Sequence, residues 1–186
     1  MVEAAIATLK EEGYAGTTAR AIAARGGFNQ ALIYYHFGGV KPLLLAALDR
    51  SSAERLDRYR SEFAVATTLA EKTEAAERLF REDVEGGHIT VLSEVIAASL
   101  ANPELGPELV ERLRPWLEFT YQEVGEAIPD EALAALLPVP AASFALVALY
   151  LGLNLLHRLD PTSVPEAELF AALRQIAALL DAGASP

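Results

Sequence analysis

Between Arg25 and Phe37 the sequence sets an amide, a methyl, a phenol and an imidazole at helical spacing, as Gln30, Ala31, Tyr34 and His36. Phe28, Ile33 and Phe37 fall on the opposite side of the same short helix and are expected to point inward. Solvated helix faces are usually charged. A face of neutral hydrogen-bonding groups suits contacts to base edges and phosphates instead. The stretch therefore reads as a candidate DNA recognition helix.

The flanking residues supply what such a helix needs for positioning. Gly27 offers the positive φ that stops a preceding helix, and Asn29 is a good N-cap for the next. Upstream, Val2, Ala5, Ile6 and Leu9 follow the i, i+3, i+4, i+7 pattern of an amphipathic helix over 1–12, which Gly13 ends. Thr17 and Thr18 offer a cap for a second helix over 19–25, with Ile22 and Ala23 inward. Downstream, Gly38-Gly39 breaks the chain. Pro42 then sits in the first turn of a fourth helix whose apolar stripe opens with Leu43, Leu44, Ala47 and Leu48. Two short helices joined by a tight glycine turn make a helix-turn-helix. A small three-helix bundle with no DNA role has the same pattern.

In order and without gaps, Gly13-Tyr14, Thr17-Thr18, Ile22-Ala23, Gly26-Gly27-Phe28-Asn29 and Ile33-Tyr34-Tyr35-His36-Phe37 lead into a Leu-rich helix. This order resembles the N-terminal domain of TetR-family transcriptional regulators over about 48 residues. The resemblance implies an all-α protein of about nine helices, with an N-terminal helix-turn-helix DNA-binding domain over 1–48. A helical ligand-binding and dimerisation domain over 49–186 would follow. It implies phosphate contacts from Thr18, Tyr34 and His36, with Arg20 as a further DNA-contacting cation and Lys41 as a candidate substitute for the family's Lys, the alternative being that this contact is lost. Gln30, Ala31 and Tyr35 occupy base-reading positions, and Asn29 belongs to the same DNA-facing set. Gln30 can pair bidentately with adenine, worth about 1–3 kcal/mol of discrimination. Leu32 is apolar at a position the family leaves variable; it either contacts a base methyl or packs on the first helix, and packing is the favoured reading. Three departures stand out. Gly26 replaces the usual Ala, which is expected to loosen the turn. Val40 stands where the family has Lys, with Lys41 next to it. No basic arm precedes the first helix in the sequence given, so phosphate contacts are expected to be few.

Composition narrows the class. The 186 residues are 52% hydrophobic, with no cysteine, so disulfides and thiolate metal sites are excluded. The first residues lack the layout of a signal peptide, and a cytoplasmic protein is expected. The net charge of −11 is unevenly spread. Residues 1–50 carry five basic and four acidic side chains, net +1, whereas 51–186 carry ten and 22, net −12. The acidity lies outside the proposed DNA-binding segment, whose electrostatic contribution is nonetheless modest. The most apolar run, 141–156, is shorter than the roughly 20 residues of a membrane span. It is expected to be buried in a core or interface, with no membrane partner.

Beyond residue 48 the pattern predicts helices to about 63, then over 69–85, 89–100, 107–128 (divided or kinked at Pro115), 140–158 and 165–182. Leu146, Leu149, Leu153 and Leu156, with Leu169, Leu173, Ile176 and Leu180, recur at helical spacing on the last two. In TetR-like proteins that pair packs against its symmetry mate, which implies a homodimer on a palindromic double-stranded operator. The region 65–157 is expected to hold a pocket for a small-molecule effector, with His88, Glu94, Trp116, Tyr121, Tyr150 and Asn154 as candidates. His157, near a helix end, reads as a capping cation. No cofactor or metal is expected. An enzyme is disfavoured: the one Glu85-x-x-His88 pair has di-iron spacing, but Gly86-Gly87 interrupts it and a second pair is missing. The functional reading is a ligand-responsive repressor released from its operator by a small molecule. The alternatives are a helical protein-interaction adaptor without DNA binding or a helical-bundle enzyme.

Overall fold

The computed structural model describes residues 1–102, 104–128 and 135–183, with only the backbone of His88 and Ala101. Among these residues there are nine helices and no strand. They are α1 (Val2–Gly16), α2 (Ala19–Gly26), α3 (Ala31–Phe37), α4 (Val40–Val65), α5 (Leu69–Glu85), α6 (His88–Ala101), α7 (Leu105–Ala127), α8 (Val139–Leu159) and α9 (Glu166–Gly183). Two compact units result. Unit 1 is Met1–Arg55 with Asp83–Arg112; unit 2 is Leu56–Glu82 with Leu113–Pro186. The division expected at 48/49 falls inside α4, and α6 belongs to unit 1.

Unit 1 is built on a core of Ala5, Leu9, Ile22, Ile33, Leu43, Leu44, Ala47, Val91, Val95 and Leu109. Val91 and Val95 bring α6 into this core beside residues of α1. The reason lies partly in a polar tie that sequence periodicity does not reveal. Gly13, at φ 68°, ψ 179°, takes the chain out of helical geometry inside α1. The Tyr14 N–H donates to the Glu94 carboxylate of α6 at 2.8 Å. Lys10 Nζ donates to the carbonyl of Gly86, just before α6, at 2.7 Å. Arg55 and Asp83 form a buried two-point ion pair at 2.8 and 2.5 Å.

Unit 2 shows how its helix ends are fixed. Glu71 accepts from the N–H groups of Thr67 and Thr68, and the Thr68 hydroxyl oxygen accepts the Glu71 N–H, a reciprocal cap on α5. Asp181 of α9 accepts the next two amides, of Leu69 and Ala70, at 2.9 and 3.0 Å. One core groups Leu56, Tyr59, Leu79 and Phe119 with Phe63, Trp116 and Tyr150. A second groups Val124, Ile128 and Ala142 with Val139. Pro115 lies inside α7, which runs unbroken from Leu105 to Ala127. Of the two outcomes expected at Pro115, a division does not occur: a proline removes one backbone donor, and packing of Trp116, Phe119 and Val124 offsets the loss of one bond. The apolar run read as 16 residues belongs to a 21-residue helix, α8, long and apolar enough by length and composition to cross a membrane, with a mean hydropathy of 1.9. Ser143 and Asn154 are buried on α8, whereas Phe144, Leu146, Leu149, Leu155, Leu156 and Leu159 are exposed.

Candidate nucleic-acid interface

The helix-turn-helix is fixed by local chemistry at each joint. Thr18 caps α2, its hydroxyl oxygen accepting the Ala21 N–H at 3.1 Å. Gly27 closes α2 in the left-handed region at φ 67°, returning its N–H to the Ala23 carbonyl. Asn29 Oδ1 then accepts the Ala31 N–H, the first of α3, at 2.9 Å, while the N-cap position expected for Asn29 falls one residue later, on Gln30. Gly26 plays a different part from the one expected. A Cβ there would lie 2.1 Å from Cε1 of Phe28. The missing methyl leaves room for the Phe28 ring, which packs against the core of unit 1.

Ile33, with no exposed surface, anchors α3. Phe28 and Phe37 are half-buried beside it. Outward stand Asn29, Gln30, Ala31, Tyr34, Tyr35 and His36. Tyr35, at 82% exposure, is the most open aromatic of the helix, and its ring meets His36 edge-on at 4.9 Å. Leu32, expected to pack on the first helix, is 38% exposed and shares this outer surface. His36 and Phe37 also line an open groove with Met1, Val2, Glu3 and Arg50. Thr18 and Arg20 are exposed on α2. The predicted DNA-facing residues of α2 and α3 are thus brought onto the outside of one unit.

The cations of unit 1 are mostly engaged within it. Arg25 is held by Glu11 at 2.6 and 2.8 Å and by Glu12 at 3.6 Å. Lys41 lies 3.3 Å from Glu108 and 3.7 Å from Glu104. Arg50 reaches Glu3 at 3.0 Å and Glu54 at 2.9 Å. Arg112 pairs with Asp49 at 2.8 Å. Burial pushes the Lys10 ammonium below its ordinary pKa, against the opposing field of Glu3. Among the described residues Lys10 and Arg20 form no ion pair with a carboxylate; Lys10 is held by the Gly86 carbonyl, whereas Arg20 is exposed on α2. Arg50 is a groove residue that sequence reading passed over, because its place beside α3 arises from folding rather than spacing.

The effector candidates divide. Trp116 and Tyr150 come together as near-parallel rings 6.3 Å apart in unit 2, with Tyr59 edge-on to both. Buried Asn154 donates to the Tyr150 carbonyl at 2.8 Å. Tyr121 is 52% exposed. Glu94 lies in unit 1, bonded to the Tyr14 amide. The side chain of His88 is outside the described residues. Phe63, Phe80, Phe119 and Phe170 extend the aromatic cluster beyond the candidates. His157 pairs with Glu166 at 2.5 Å. Of the interface candidates, Leu146, Leu149, Leu156 and Ile176 are exposed, while Leu153, Leu169, Leu173 and Leu180 are half-buried. Phe144, Leu155, Leu159 and Leu179, not foreseen, are exposed beside them.

Residues 1–47 match the family model for bacterial regulatory proteins of the tetR family. No curated protein matches the chain. Among solved structures, the fatty acid degradation regulator FadR of Bacillus halodurans is 18% identical, with a TM-score of 0.77 over 97% of this chain and 92% of its own. FadR of Bacillus subtilis, solved with stearoyl-CoA, is 18% identical, with a TM-score of 0.76 over 99% and 97%. The multidrug binding protein EbrR, complexed with imidazole, is 26% identical, with a TM-score of 0.64 over 97% and 87%. Residues 1–47 thus resemble the tetR-family regulatory proteins, and the whole chain shares its fold with FadR of both Bacillus species.

Proposed function

We propose that this chain is a ligand-responsive, sequence-specific DNA-binding transcriptional regulator, a cytoplasmic repressor released from its operator by a small molecule. The observation that carries the reading is the outer face of α3. Gln30, Ala31, Tyr34, Tyr35 and His36 are presented at and along a helix whose first N–H is held by Asn29 and which is anchored by fully buried Ile33. In this reading Gln30, Ala31 and Tyr35 read bases, while Thr18, Arg20, Asn29, Tyr34, His36 and Lys41 hold the backbone. Residues 1–48 are the DNA-binding part and 49–186 the ligand-binding and dimerisation part.

A homodimer is supported by the exposed apolar residues of α8 and α9, since apolar surface of this extent calls for a partner. Two copies would set their recognition helices in successive major grooves, about 34–36 Å apart on a palindrome. The aromatic cluster of Tyr59, Trp116 and Tyr150 suits a largely apolar effector. The ligands named for FadR and EbrR, stearoyl-CoA and imidazole, support responsiveness to a small molecule of some kind. An effector releases DNA only through different affinity for the bound and released spacings.

Selection from a random duplex library tests the reading. The protein should enrich a palindromic sequence; Gln30→Ala should relax base preference at one position per half-site, and Tyr34→Phe should weaken all sequences alike. Absence of any enrichment at low salt refutes sequence-specific binding.

A further inference from the structure

Unit 1 presents a recognition helix yet keeps few charges for the DNA backbone. Its cations are Lys10, Arg20, Arg25, Lys41, Arg50, Arg55 and Arg112, against eleven carboxylates. The ion pairs are of two kinds. Those of Arg25 and Arg55 are two-point and short, and they join helices of the core. Those of Lys41 and Arg50 are more open. The Lys41 side chain is 38% exposed, facing Glu104 and Glu108; that of Arg50 is 54% exposed, facing Glu3 and Glu54. Both cations flank α3. Lys41 lies in the first turn of the helix that follows it, and Arg50 lines the groove with His36 and Phe37.

Resting on the DNA-binding reading above, we propose that Glu104 and Glu108, on Lys41, and Glu3 and Glu54, on Arg50, set the protein's DNA affinity. Their carboxylates occupy the cations flanking the recognition helix, so that a backbone phosphate binds by displacing them. The chemistry is an exchange of one anionic oxygen partner for another. Exposed, single-point pairs are weak enough to exchange. The cost appears as missing counterion release. Each phosphate neutralised releases cations condensed on the DNA, but a carboxylate displaced in the exchange takes up a salt cation in turn, so the net release is smaller. Each phosphate contact otherwise contributes a slope of about −0.9 in log affinity against log salt. With Arg20 as the open cation, the wild-type slope should be shallow, near −1 per subunit. Because phosphates carry no sequence information, the carboxylates lower affinity for every duplex by a common factor and leave base preference intact.

The experiment is fluorescence anisotropy on the full chain at 50–300 mM KCl, with a library-enriched duplex and a scrambled one of equal length. Glu104→Gln/Glu108→Gln should tighten both duplexes by a similar factor. It should also steepen the slope by about 0.9 per subunit, three- to fourfold more affinity lost between 50 and 200 mM salt. Glu3→Gln, on a different helix, should act in the same direction, and adding Lys41→Met to the double variant should cancel its gain. A fall in affinity, an unchanged slope, or a gain that survives Lys41→Met overturns the proposal; the first of these is what a purely structural role for the pairs produces. If the wild type enriches no sequence while the variants gain affinity for bulk duplex, the regulator reading fails and the exchange stands. If the wild type enriches an operator but the variants leave affinity and slope unchanged, the reverse holds.

Discussion

Gly26→Ala puts a carbon 2.1 Å from Cε1 and 2.6 Å from Cδ1 of Phe28, and 3.1 Å from Cβ of Ala4. Carbon atoms in contact stand about 3.5–4.0 Å apart, so the ring must move by well over an ångström. Phe28 is packed against the core of unit 1, and forcing atoms into such a site costs about 1–3 kcal/mol. Alanine in place of glycine gains at most about 1 kcal/mol in a helix interior, and less at the last residue of α2. The net expectation is a loss of about 1–2 kcal/mol. For a chain of this length that lowers the melting temperature by about 2–4 °C per kcal/mol. Thermal melting by circular dichroism reads the effect, and a double-mutant cycle with Phe28→Ala isolates its cause. In the Phe28→Ala background the added methyl meets no ring and keeps only the 3.1 Å approach to Cβ of Ala4, so most of the cost should vanish. Gly26→Ala as stable as the wild type, or equally costly in both backgrounds, refutes the steric argument.

Asp83→Asn removes the carboxylate charge that meets the buried Arg55 guanidinium at two points and should destabilise by up to about 3–5 kcal/mol, measured by urea unfolding. Hydrogen bonds from the Thr67 amide, the Thr67 hydroxyl and the Thr68 amide hold the Glu71 carboxyl below its ordinary 4.5. Its stabilisation is therefore present above that value and lost as pH falls through the lower folded value. Glu71→Gln should accordingly melt below the wild type at neutral pH, with the difference vanishing on acidification below 4.5. Leu156→Glu with Leu179→Glu charges the exposed faces of α8 and α9 and should convert the proposed dimer to a monomer by analytical ultracentrifugation. A dimer that persists removes those faces as its interface.

Local signals carried much of the architecture. Thr18, Gly27 and Asn29 sit at helix ends because a hydroxyl or amide oxygen can take a free N–H and only glycine enters the left-handed region cheaply. Each such preference acts within a few residues, so it is written in the order of the chain. The inward place of Ile33 and the outward place of Gln30, Tyr34 and His36 follow from helical periodicity in the same way. What needed the folded chain were pairings across long separations. Nothing local in α6 announces that Glu94 will bond to Tyr14, or that Val91 and Val95 will join the core of unit 1. Pro115 looked like a break because propensity speaks for one residue, while packing speaks for the whole helix. The same distinction applies to charge. Sequence alone determined that residues 1–50 are nearly neutral and the remainder acidic. Only the tertiary structure decided that Lys41 meets Glu104 and Glu108 while Arg20 remains open, because an ion pair depends on distance in space and composition records none.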